Sequence, residues 1–493
     1  MWGRAFLCLL TVALAAPSAR AEDDDADGVR QKPQQRSPAA NFRQVIGADE
    51  VDGPSIFEGV PALNPIDAFR DQLRDRFGVY LHGAYVGDPY GDLGGGMRRG
   101  ATFSGRLDVE IDIDTAKTIG VPNGTVHANM FQIHGRDLSR DFVGNFLTSN
   151  DVAALPSTKL YELWYEQSFG DELSVRAGQQ GIDVEFLTSS YGGNFIDATF
   201  GWPALPSENL PDGGPAYPLA APALRVKYKP TKNVAILAAV FDGKPAGPCA
   251  GEPQACDPTG TNFRVSDPPL AILEAQIRYN QGEQASGLPG RVKLGAFGYF
   301  GRADDQRFAF GGVPLALGGP PLTHALNGGA YGIVDQQVYR LPDAGAPDDG
   351  KDTKDDGRDD DTAKGIGVFA RVIGAPADRN PVDLYADAGV SALGLVPGRP
   401  NDQFGIAAAV AKISGAAIAA DEAAVALGDL RVARSFEAVF EATYQAEVVP
   451  GFSLQPTFQY VVHPGGNVAN PYAANLAPIP DAEIFGVTTI VRF

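Results

Sequence analysis

The sequence predicts an all-β fold: a sixteen-stranded antiparallel transmembrane barrel preceded by one short helix. Three observations predict it. First, Lys159 to Phe186, KLYELWYEQSFGDELSVRAGQQGIDVEF, holds two alternating runs on either side of Gly170-Asp171. Tyr161, Leu163, Tyr165 and Phe169 share one face; Glu162, Trp164 and Glu166 share the other. Period-two patterning around a tight turn reads as a β-hairpin. Second, short and long connections take turns along the chain. Third, the chain ends FGVTTIVRF, with Phe485, Val487, Thr489, Val491 and Phe493 on one face. A soluble sheet would bury that apolar face. A membrane barrel shows it to lipid and turns the charged face into a wet lumen.

Residues 1–21 read as a secretory signal peptide, with Arg4, an apolar run from Ala5 to Ala16, and Ala19-Arg20-Ala21. No later stretch is long and apolar enough to span a bilayer as a helix, so any crossing must use strands. Residues 22–63 are acidic, then rich in Pro and Gln, and are expected to be a disordered tail. Asn64-Pro65 supplies an N-cap and a first-turn proline for a periplasmic helix over 64–76. Its apolar face, Ile66, Phe69, Leu73 and Phe77, is expected to pack on the barrel end as a lid.

The barrel is expected over 77–493. Its strand runs are 77–86, 101–113, 124–137, 159–169, 172–181, 223–229, 233–242, 270–280, 290–300, 329–340, 364–374, 382–394, 402–413, 434–447, 452–463 and 482–493. Sixteen is even, as single-chain bacterial barrels require. Turns at 170–171, 230–232 and 449–451 are short, whereas 182–222, 243–269, 301–328 and 414–433 are long. The acidic 341–363 segment is long where a turn should be short, and its charge density marks a disordered insertion.

Composition excludes several functions. A net charge of −20 argues against nucleic-acid binding. There is no Gly-x-Ser-x-Gly, no His-Glu-x-x-His and no Walker Gly-Lys-Ser/Thr. The five histidines show no ligand spacing, so neither metal nor cofactor is expected. Cys249 and Cys256 lie close together in a Pro/Gly-rich loop and are expected to pair in an oxidising compartment.

Alternation assigns charges of both signs to the lumen, among them Arg106, Arg136, Glu162, Glu166, Arg176, Arg225, Arg371, Glu437 and Glu441. A pore of mixed sign is not a one-sign ion filter. Donors, acceptors and the nearby Trp164 suit a sugar's hydroxyls and ring face. The same charges can instead brace the wall by salt bridges. Asp183, Glu185 and Phe186 open the longest outer connection, which is expected to fold inward and narrow the channel.

From KLYELWYEQ through LSVRAGQQGIDVEF, FGWPALP (200–206), AAVFDGKPAGP (238–248), YGIVDQQVYR (331–340), GVFARVIGAPADRNPVDLYADAGV (367–390) and LQPTFQYVVHPGGN (454–467), the chain resembles the carbohydrate-selective porin (OprB-like) family of Gram-negative outer membranes. The resemblance implies passive diffusion of glucose and other small sugars through a constriction lined by arginines, acids and aromatics. Carried over by position, Arg106, Arg136, Arg176 and Glu185 are its lining candidates. It also implies contact with outer-membrane lipid and lipopolysaccharide, and a homotrimer like the general porins. A broad porin for small polar solutes and an outer-membrane hydrolase stay open as alternatives.

Overall fold

A computed structural model describes residues 55–60, 64–281, 285–342, 364–429 and 432–493. All sixteen expected runs form strands: β1 Val79–Gly94, β2 Gly100–Asp114, β3 Gly124–Gly135, β4 Ser157–Phe169, β5 Leu173–Gln180, β6 Ala221–Thr231, β7 Val234–Asp242, β8 Pro269–Tyr279, β9 Gly290–Ala309, β10 Pro321–Arg340, β11 Gly365–Gly374, β12 Val382–Leu393, β13 Gln403–Ile413, β14 Phe436–Val449, β15 Phe452–Val462 and β16 Ala482–Arg492. Neighbours pair antiparallel in chain order. β1 pairs with β2 and also with β16, where Ala84 lies opposite Arg492, so the sheet closes on itself. A closed sheet leaves no edge of unpaired N–H and C=O groups, which is what a strand structure in lipid requires.

Side chains sort inside out. Leu163, Ile236, Leu273, Val334, Phe404 and Phe440 are exposed on the outer wall, while Asp108, Glu166, Arg225, Glu274, Arg371 and Glu441 are buried within. Such an arrangement is stable only with lipid around it. No helix among the described residues is long and apolar enough to cross a membrane.

The structure departs from the sequence reading in five places. Most of the expected 301–328 loop is a hairpin arm, because β9 and β10 run on past the membrane and pair Thr323 with Asp304 and Pro321 with Ala309. Arg302, Asp304 and Arg307 are exposed there in place of outward apolar residues, so no apolar period marks it. Within 414–433, Gly415–Ala426 is a helix, with the Ser414 hydroxyl accepting from Ala417 N–H at 3.2 Å. Its alanine content and serine cap were the available signals. In β4, a bulge between Leu160 and Glu162 turns Tyr161 inward, against the strict alternation expected there. One extra residue shifts the facing of everything on one side of it.

The other two departures lie at the amino-terminal end. Helix α1, Asn64–Phe77, forms as expected, but its apolar face is not packed as a lid: Ile66, Phe69 and Phe77 are 46, 56 and 49 % exposed. Residues 55–60, assigned to the tail, include a helical turn at Ile56–Gly59, with the Phe57 ring 6.3 Å from that of Phe493. The half-buried Phe57 has the last aromatic as a packing partner, which local composition does not reveal. The rest of the expected tail, the leader and nearly all of 341–363 lie outside the described residues.

Candidate transport path

The 181–220 connection fills much of the lumen, and its anchors explain its course. At its root, Asp183 accepts from the Tyr161 hydroxyl at 2.9 Å and from Tyr217 N–H at 2.9 Å. Burial pushes this carboxyl up to about 6 despite those bonds. Further along, Leu187 N–H and Thr188 reach Glu274 and Lys293, at 3.1 and 2.8 Å, on β8 and β9. Helix α2, Ala204–Asn209, then carries the chain back, with Asn209 Nδ2 donating to Val382 O at 2.8 Å.

Two wall residues hold the middle of this loop. Glu441 accepts from Ile196 N–H at 2.7 Å and Asp197 N–H at 2.8 Å. Arg371 donates to the carbonyls of Leu187, Thr199, Phe200 and Gly201 at 2.7–3.2 Å, and its Nε bonds Asp387 at 3.0 Å. A planar five-donor guanidinium can satisfy this many acceptors at once. Glu437 does the same for the 136–156 loop, accepting from Phe146 and Leu147 N–H groups at 3.1 and 2.6 Å. A buried carboxylate whose oxygens meet N–H groups stays tolerable in a low dielectric.

The opposite wall carries a charge network. Glu166 binds Arg176 at 2.8 Å and Arg225 at 3.0 Å. Glu185, on the loop, binds Arg225 at 2.7 Å, Lys227 at 3.0 Å and, more loosely, Arg176 at 3.9 Å. Burial alone would raise the Glu185 carboxyl; Arg225, Lys227 and Arg176 outweigh it and hold it well below the usual carboxylate range. Within this network Glu185 and Lys227 are 13 and 24 % exposed, against 4 and 1 % for Arg176 and Arg225.

Trp164 is layered between two neighbours. The Arg176 guanidinium lies 4.0 Å over its ring, and the His127 ring is stacked 4.8 Å from it. Glu162 accepts from Trp164 Nε1 at 3.3 Å and from Gly181 N–H at 2.8 Å. Arg106 sits between Phe131 and Tyr217, 5.0 and 5.2 Å from their ring centres.

The expected site residues thus fall into four places. Glu162, Trp164, Arg176, Glu185 and Arg225 meet where the in-folded loop leaves the wall. Arg106 lies apart from them among aromatics, and Phe186, on the loop itself, is buried in the core that the loop forms with the wall. Arg136 does not face the lumen: it follows the end of β3 at the loop-bearing end, 62 % exposed and 2.8 Å from Asp141. Inward positions on β3 are His127, Asn129, Phe131 and Ile133, so position 136 has the wrong parity. Lys293 and Asp335 were missed, although the outward neighbours Leu294 and Val334 marked them as lumen-facing. Cys249 and Cys256 are bonded, as their spacing suggested.

Residues 98–493 match the model of the carbohydrate-selective porin, OprB family. The chain belongs to that family. It is a carbohydrate-selective outer-membrane porin, a channel and not an enzyme. The high-pH structure of Pseudomonas putida OprB superposes with a TM-score of 0.73 at 22 % identity, over 87 % of this chain and 97 % of that one. The low-pH structure of the same protein gives 0.49 at 16 % identity, over 87 and 96 %. The channel DcaP of Acinetobacter baumannii gives 0.45 at 12 %, over 84 and 97 %. No curated protein matches the sequence. For an OprB-family barrel in the outer membrane, the end with short turns and both described termini is periplasmic, and the long loops face outward.

Proposed function

We propose that this porin passes monosaccharides and short oligosaccharides by facilitated diffusion along the side of the in-folded loop where Glu185 and Lys227 border the lumen. The carrying observation is that cations and carboxylates of one network converge at the loop's root, where Glu185 and Lys227 are its two least buried members. Sugar hydroxyls both donate and accept, so adjacent groups of opposite charge can hold them briefly. Each such contact is worth on the order of 1 kcal/mol net, weak enough for release. Arg176 and Arg225 position this edge, and Trp164 braces the wall behind it.

Bilayer recordings with and without glucose test this reading. Glucose should reduce the ion current in a concentration-dependent way, and liposomes should swell faster in sugars than in amino acids or dicarboxylates. Equal swelling in all three would make this a broad porin for small polar solutes. A homotrimer is the expected assembly, and mass measurement in detergent would decide it.

A further inference from the structure

We propose that helix α1 is an interfacial anchor that lays Ile66, Phe69 and Phe77 into the periplasmic phospholipid leaflet beside the barrel seam. Its position follows from a chain of contacts. On β16, Ile484, Gly486, Thr488, Ile490 and Arg492 point inward, so Phe493 faces outward. Its ring packs over Gly83, a Cβ on which would come within 2.3 Å of it. Phe57 meets that ring from outside, and the Arg70 guanidinium lies 5.5 Å over Phe57. Arg70 also donates to the Leu81 carbonyl at 2.8 Å, on the stretch of β1 that precedes its register with β16. At the next turn, Gly451 leaves no room for a side chain, since a Cβ would come within 2.0 Å of Ile56 N. The amino-terminal segment is therefore held against the outer side of the periplasmic rim.

At about 100° per residue, Phe69, Leu73, Ile66 and Phe77 fall within an arc of about 80°, and Arg70 lies at its edge. The apolar stripe thus sits next to the contact that ties the helix to the outer wall. In the β2–β3 turn at the same end of the barrel, Ile119 is likewise exposed, at 71 %. Arg76 lies 5.6 Å over the Phe77 ring, and Arg74 pairs with Asp71 at 2.7 Å, so the helix presents charge of both signs beside an apolar stripe. That pattern fits the boundary between headgroups and acyl chains of a phospholipid leaflet.

The test uses the full-length protein in phosphatidylethanolamine–phosphatidylglycerol vesicles, comparing Phe69→Trp with Asp71→Trp and subtracting the parent protein's emission. Phe69→Trp should emit to the blue and lose most of its signal when the acyl chains are brominated, while Asp71→Trp responds to aqueous iodide. Iodide quenching of both would overturn the anchor. Protection of Phe69→Trp from both quenchers would also overturn it, by placing a protein surface, a second copy or the preceding residues, on the stripe. Should Phe69→Trp fail to give the heat-modifiable barrel, Ile66→Trp reports on the same stripe.

Discussion

Arg225 on β6 holds Glu185 of the in-folded loop at 2.7 Å, so an ion pair ties the constriction to the wall. Glu185 is depressed in the folded barrel by its three cations, which outweigh its burial. A depressed carboxyl contributes stability that is fully present above its unfolded pKa, about 4.3, and is lost as pH falls below it. Glu185→Gln should therefore lower the unfolding midpoint at neutral pH. The gap from the parent protein should begin to narrow below about 4.3 and keep narrowing as pH drops toward about 3. A gap that stays constant over that range would assign the loss to packing.

Arg371 clamps four loop carbonyls from the far wall. Arg371→Ala takes a donor from each of those carbonyls and the charge partner from Asp387, which keeps the Tyr385 hydroxyl at 2.7 Å, at a cost of about 3–5 kcal/mol for a broken buried pair. We expect a noisier channel of higher conductance with weaker glucose block, read from single-channel traces. Arg371→Lys should recover only part of this, because one ammonium cannot replace the fork.

Arg176 and Lys227 belong to one network but should behave differently. Arg176 is buried between Glu166 and the Trp164 ring. Arg176→Ala should reduce the yield of heat-modifiable barrel and leave glucose block of the surviving channels nearly unchanged. Lys227→Ala should fold normally and shift ion preference toward cations while weakening the block. The reverse pattern would move the sugar contact to Arg176.

The Cys249–Cys256 bond lies in the long connection between β7 and β8, whose Thr259 O accepts from Leu160 N–H at the β4 bulge. On intact cells, a membrane-impermeant thiol reagent should label both cysteines after reduction and neither before. Labelling only after the outer membrane is broken would invert the barrel.

β10 and β11 pair up to Arg340 opposite Gly365, so their hairpin is complete without the acidic segment between them. Deleting 345–361 should leave barrel migration on gels and sugar uptake unchanged. Loss of the folded species would show that the segment contributes to assembly.

Alternation, turn chemistry and the terminal aromatic determined the strand count, the closed barrel and its bilayer setting, because each is written in residues one or two positions apart. The mixed charge of the lumen was legible for the same reason. Where an extra residue breaks the period, as at the β4 bulge, local pattern misplaces the next side chain, and Tyr161 was read as lipid-facing. Arg136 is a different case: β3 keeps its register with β2, and strict alternation from His127, Asn129, Phe131 and Ile133 already excludes position 136 from the lumen. The pairing of Arg371 with carbonyls of residues 187–201, or of Glu441 with Ile196 and Asp197, joins positions some 170–245 apart in the chain. Only closure of the barrel brings them within hydrogen-bond reach, so the course of the constriction loop was a decision of the tertiary structure.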